Sequence, residues 1–194
     1  MLSSICMETI DANLIAPERP RRITRDEYDQ MVAMGLFSNE RVELLHGTIV
    51  SMSPNNPPHA SPVEELTQLL VVQLRGRAKV RIQLPLVAAD ESEPEPDVAV
   101  VPLGDYAREH PRKAHLVIEV AWSSLRKDRL LKGPLYAQSG FEEYWIANVE
   151  EKVMEVHRTP AGSSWASITR HGRDETLHPL AFPDVAIRVA DVIR

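Results

Sequence analysis

The sequence predicts one α/β domain organised around a central mixed β-sheet. Three observations carry this. The chain has 194 residues, enough to bury a sizeable core in a single domain. Hydrophobic residues make up 43% and charged residues 26%, an ordinary balance for a globular chain. Segments with strand and helix patterning alternate along the sequence, with no internal repeat and no linker.

Taken in order, residues 1–22 read as a loose, flexible tail containing Pro17, Pro20 and three arginines, and residues 23–194 as the folded domain. Thr24-Arg-Asp-Glu27 is a capping box and starts a helix running towards Gly35. Apolar runs at 41–45 and 48–52 flank His46-Gly47, which predicts a hairpin. Residues 54–58 form a proline-rich rigid loop. Ser61-Pro-Val-Glu64 predicts a second helix start, with Pro62 at the first helical position and Val63, Leu66, Leu69, Leu70 and Leu74 on the apolar face. Strands are expected at 80–87, 97–101 and 115–120, separated by an acidic, proline-rich loop and a surface loop. Residues 125–140 have helical patterning interrupted by Gly133-Pro134, so a kink or break is expected there. Residues 143–148 and 153–158 predict a hairpin around Glu150-Glu151, with Tyr144 and Trp145 as core aromatics. Short strands and a helical turn close the chain.

Two acids stand out chemically. Asp97 opens the run Asp97-Val-Ala-Val-Val101, and Glu119 lies inside Leu116-Val-Ile-Glu-Val120. An acid within so apolar a strand is costly unless it is paired or bound to a cation. Two such acids on successive strands can meet and hold a divalent metal. The same pattern leaves plainer roles open: a strand-start turn for Asp97 and an arginine partner for Glu119.

Bulk charge constrains partners. The formal net charge is -6, so no global basic field draws the chain to nucleic acid, although clustered acids of a metal site add to that total. The local basic runs at 75–81 and 126–129 are the candidates for phosphate contacts. One cysteine, Cys6, excludes a disulfide framework and a cysteine metal cluster, so a cytoplasmic setting is expected. No apolar run is long enough for a membrane span, and the N-terminus does not read as a signal peptide.

The combination of Arg-Val-Glu-Leu-Leu-His-Gly47, Val50-Ser-Met-Ser-Pro54, His59, Glu95-Pro-Asp-Val-Ala-Val100, Leu116-Val-Ile-Glu-Val120, Ser123, Asp128, Lys132, Tyr136 and Gly140-Phe-Glu-Glu-Tyr-Trp-Ile146 resembles the Uma-two family of the PD-(D/E)XK nuclease superfamily. The resemblance runs from about Thr24 to the C-terminus. It implies a restriction-endonuclease-like fold, a central mixed sheet flanked by helices with the metal acids on adjacent strands. It also implies an endonuclease that hydrolyses phosphodiester bonds in DNA with Mg²⁺ or Mn²⁺; a homodimer is expected, since it would place two sites for two strands. Asp97 and Glu119 would hold the metal. The lysine usually found two residues after the glutamate is replaced by Ala121, and the resemblance transfers its role to Lys132, on the following helix. Asp128, Lys132 and Tyr136 then share a helical face at steps of four.

The supporting candidates are Glu43, as a further metal-shell acid or an arginine partner; His59, facing the metal or phosphate or else incidental to its loop; and Gln83, orienting substrate. For Lys132 the plainer role is a solvated helix lysine. The stretch Val-Ala-Trp-Ser-Ser124 departs from the Ser-Pro turn more usual in the family. Two rival functions stay open: a binding protein that kept the fold and lost the activity, and a metal-independent glycoside hydrolase using the same acids.

Overall fold

A computed structural model describes residues 17–54 and 56–194; the greater part of the expected tail lies outside them. Its core is a six-stranded mixed sheet in the order β3-β4-β5-β6-β7-β8. The strands are β3 (Lys79–Ile82), β4 (Val98–Val101), β5 (Leu116–Ala121), β6 (Glu143–Asn148), β7 (Val153–Ala161) and β8 (Ser164–His171). Every neighbouring pair is antiparallel except β5 and β6, which are parallel. A parallel pair needs a crossover. Here it consists of α3 (Leu125–Lys127), a π-helical turn (Asp128–Lys132) and α4 (Gly133–Gln138).

Side-chain alternation along the strands separates two cores. Val98, Val100, Ile118, Val120, Trp145 and Ala147 face the long helix α2 (Pro57–Gln73) and the C-terminal segment. That segment pairs β9 (Thr176–Leu177) with β10 (Ile187–Arg188) and ends in α5 (Val189–Val192). Ala99, Val101, Val117, Ala121, Tyr144 and Ile146 face the opposite way, towards Tyr136 and Phe141 of the crossover region. β5 is buried along its whole length, which explains its nearly unbroken apolar sequence.

A third, small cluster of Tyr28, Val42 and Leu44 joins α1 (Arg25–Ala33) to the hairpin β1 (Val42–Leu45) and β2 (Thr48–Ser51). Thr24 and Glu27 form the expected capping box. His46 and Gly47 both have positive φ, 49° and 73°, as a tight hairpin turn of this hand requires. A Cβ on Gly47 would also lie 2.5 Å from Arg22 Cβ, so only glycine fits. Arg22 itself pairs with Glu91.

Three local expectations are corrected. α2 begins at Pro57, not Pro62. Asn56 caps it by accepting from His59 N–H, and Pro57 and Pro58 fill the first two positions, where no N–H is needed. Pro62 is therefore inside the helix. The strand expected at 80–87 stops at Ile82, because Gln83 adopts φ 49°. The break expected at Gly133-Pro134 is a widened turn: Gly133 N–H bonds Asp128 O, five residues back. An extra residue in the turn accommodates the proline without ending the helix.

Candidate active site

The strand register sets the two acids face to face. Val98 pairs with Ile118 across β4 and β5, so the next position brings Asp97 opposite Glu119. Gln83 N–H bonds Asp97 O at 3.1 Å and carries the ladder one residue past β4. By parity Asp97 shares the face of Ala99 and Val101, and Glu119 that of Val117 and Ala121. Both acids are almost fully buried, and both line one cleft beneath the hairpin and the crossover.

The crossover delivers Lys132 into this cleft. Its Nζ donates to Glu119 Oε1 at 2.9 Å and lies 2.9 Å from Glu43 Oε2. At 1% exposure Lys132 is no solvated helix lysine. Tyr136, one turn on, donates its hydroxyl to the same Glu119 oxygen at 2.7 Å. Glu43, from β1, is completely buried. It accepts from Lys127 Nζ at 2.9 Å and from Glu95 N–H at 3.2 Å, so its partners are two lysines and a backbone amide.

The shape of the crossover depends on the aromatic residues beneath it. Tyr144 OH donates to Asp128 O at 3.2 Å, and Trp165 Nε1 donates to Gly133 O at 3.0 Å. Arg129 ties the outer side of the turn to Glu155 on β7. These contacts satisfy groups that a widened helical turn exposes.

Asp97 is held from three sides. Val120 N–H donates to Oδ2 at 2.8 Å, His59 Nε2 lies 3.1 Å from the same oxygen, and Gln83 Nε2 donates to Oδ1 at 3.2 Å. His59 reaches it from the first turn of α2. Gln83 owes its direction to the left-handed backbone that ends β3, a conformation costly for a non-glycine residue. Arg41 braces Gln83 Oε1 at 3.3 Å and Glu95 at 3.0 Å.

Electrostatics divide the acids into two kinds. Burial opposes ionisation of Asp97, but the hydrogen bond and charge of His59, with Val120 N–H and Lys132, hold its carboxyl below the usual value. Burial also opposes ionisation of Glu43, and Lys132 and Lys127 outweigh it in the same way. Glu119 goes the other way: burial, with the charges of Asp128, Asp97 and Glu43, outweighs Lys132 and pushes it up to about 8. One ammonium shared by two carboxylates satisfies only one fully. Lys132 itself is raised, because Glu119, Glu43 and Asp128 outweigh its burial. Asp128 is raised by burial, against Lys132 and a hydrogen bond from Ser124.

These residues fit a small, hard cation. Five carboxyls (Glu43, Glu95, Asp97, Glu119 and Asp128) meet three permanent cations, Arg41, Lys127 and Lys132. Glu119, held up to about 8, keeps its proton at neutrality for want of a further positive charge. The cleft holds about 70 Å³ of free space. That admits roughly five water-sized particles. Among the described residues no three acidic, histidine or cysteine side chains converge as a metal cage. A cation here would complete its shell with water and substrate oxygens, the habit of Mg²⁺.

All six residues singled out in the sequence, Asp97, Glu119, Lys132, Glu43, His59 and Gln83, belong to this one constellation. Sequence reasoning missed Arg41, Glu95 and Lys127 as members. Each lay in a stretch singled out for another reason: Glu95 beside Pro96-Asp97, Arg41 at the head of the run to Gly47, and Lys127 in the basic run 126–129. The basic runs are largely engaged within the protein. Arg77 pairs with Asp184, Lys79 reaches Gly104 O, Arg81 reaches Pro85 O, and Arg129 pairs with Glu155. Among the described residues no helix is long and apolar enough to cross a membrane.

Residues 25–190 match the family model described as "Uma2: Putative restriction endonuclease". The fold is similar to a crystal structure described as "a putative nuclease belonging to DUF820 from Anabaena variabilis ATCC 29413". The TM-score is 0.72 at 17% identity, covering 88% of this chain and 97% of that one, a likeness of fold. No curated protein matches the sequence.

Proposed function

The chain belongs to the Uma2 family, and from that premise we propose that it is a metal-dependent endonuclease hydrolysing phosphodiester bonds in DNA. The observation that carries the proposal is the facing pair Asp97 and Glu119, on one side of the sheet, with the Lys132 ammonium 2.9 Å from Glu119. Ala121 occupies the position where the simplest motif has its lysine. Lys132 supplies an equivalent charge from the crossover.

Asp97 and Glu119 would hold Mg²⁺ or Mn²⁺, which when bound supplies Lewis-acid polarisation of the phosphate and acidifies a water. His59, Gln83 and Val120 N–H fix the Asp97 carboxylate, and Tyr136 fixes Glu119. Lys132 holds its proton firmly, so it serves as a preorganised positive charge beside the developing phosphorane and not as the base. Glu43 also braces Lys132, its Oε2 lying 2.9 Å from the ammonium.

The test is cleavage by the purified chain of supercoiled plasmid and of a single-stranded circle, with Mn²⁺ or Mg²⁺, beside Asp97→Asn. Wild type should nick or linearise one of them, and Asp97→Asn should be inert with an unchanged circular dichroism spectrum. Equal activity in the two proteins removes Asp97 from the chemistry and overturns the proposal.

A further inference from the structure

At the mouth of the same cleft stands Trp122. It is 42% exposed and lines the cleft beside Ser123, three residues after Glu119. It makes no hydrogen bond or ring contact with the described residues. The other two tryptophans, Trp145 and Trp165, are buried. Four residues on, Arg126 is exposed and likewise without a partner among the described residues.

The charges around the cleft make this placement informative. Binding duplex DNA by its backbone requires a track of free Lys and Arg side chains. This chain carries a net charge of -6, and its local basic runs are mostly bound to its own acids and carbonyls. A nucleic acid strand held here needs another source of affinity. Stacking on an aromatic ring supplies it, is blind to base identity, and requires a base free of its partner.

We propose that the site takes an unpaired nucleotide strand, DNA or RNA, with one base stacked on Trp122 and an adjacent phosphate on Arg126. The inference rests on the nuclease reading of the same cleft and deepens it by naming the substrate class.

The experiment is a titration of the full chain in EDTA with oligo-dT, oligo-rU and a DNA hairpin of equal length, read by tryptophan fluorescence and by anisotropy of a labelled strand. Quenching reports Trp122, since its two companions are buried. A single strand should bind at least about ten-fold more tightly than the hairpin and quench the emission. Trp122→Ala should weaken single-strand binding roughly 5- to 150-fold, the range for one lost base stack. Trp122→Phe should retain most of the affinity without the signal. Arg126→Ala should reduce the salt slope by about 0.7. The dT and rU arms assign the sugar.

Equal affinity for hairpin and single strand, unchanged affinity in Trp122→Ala, or no binding of any strand each overturns the proposal. The two readings fail separately. Plasmid cleavage that ignores Trp122 leaves the nuclease and removes the stacking site. Strand binding through Trp122 without cleavage under any metal does the reverse.

Discussion

Replacing Glu119 by Gln removes the carboxyl that the folded protein holds most unfavourably. Folding moves this group from 4.5 to about 8. The sign follows from proton counts. Between those values the folded state keeps the proton and the unfolded state has released it, so wild-type stability falls as pH rises. The slope is about 1.4 kcal/mol per pH unit and ends where Glu119 ionises in the folded state. Glutamine has no such dependence, Lys132 keeps Glu43 as its partner, and the glutamine oxygen can still accept from Tyr136. The advantage of the variant should therefore grow with pH, reaching about 3 kcal/mol at neutrality, or roughly 6–12 °C in melting temperature for a chain of this size. The assay is urea unfolding of both proteins in EDTA at several pH values from 5 to 8. Adding Mn²⁺ should then stabilise wild type and leave Glu119→Gln unmoved, since only the first has a complete acid pair. Parallel pH profiles, with a constant difference between the proteins, would refute the reasoning and place the Glu119 proton elsewhere.

Two further outcomes are expected. Lys132→Met should lower single-turnover cleavage strongly at nearly unchanged DNA affinity, and should destabilise the fold by about 3–5 kcal/mol by leaving buried acids unpaired; rapid quench, equilibrium binding and melting read the three quantities, and a loss confined to affinity would make Lys132 a phosphate contact. Tyr144→Phe removes one of the two donors to Asp128 O, leaving Gly133 N–H, and should cost about 0.5–1.5 kcal/mol, with turnover falling more than binding as the crossover loses its shape; kcat and KM measured separately decide this, and unchanged kinetics would show that the hydroxyl does not position Lys132.

Much of this architecture was written in short-range pattern. The Thr24–Glu27 box, the His46-Gly47 turn and the nearly unbroken apolar runs of β4 and β5 act locally, and each led to the right element. The facing of Asp97 and Glu119 was legible because parity and register leave few choices once two strands are neighbours. What escaped was decided by competition. Two candidate helix starts lay five residues apart, and Asn56-Pro57-Pro58 won because it offers both a cap and two residues with no N–H to satisfy. Gly133-Pro134 announced an irregularity, but a break and a widened turn answer it equally well in sequence. The choice lay with Tyr144 and Trp165, distant residues that donate to the Asp128 and Gly133 carbonyls on either end of the widened turn. Arg41 and Lys127 were invisible as site members because an arginine or lysine looks alike whether it meets solvent or a buried acid.

The hairpin β1–β2 is a two-stranded sheet outside the main one, and two strands alone are marginal in water. It keeps its place through the small Tyr28 cluster, the Leu44–Glu93 bridge and the bonds of Glu43 to Lys127 and Lys132. Lys127 and Glu43 lie 84 residues apart in sequence, so this contact is a late reward of folding. The six-stranded sheet owes the hairpin little. Under mild denaturant the hairpin is expected to undock before the sheet, taking Glu43 from Lys132, and amide hydrogen exchange of β1 against that of β5 and β6 measures the order. The proposed activity would then depend on docking, lost before the fold and regained after it.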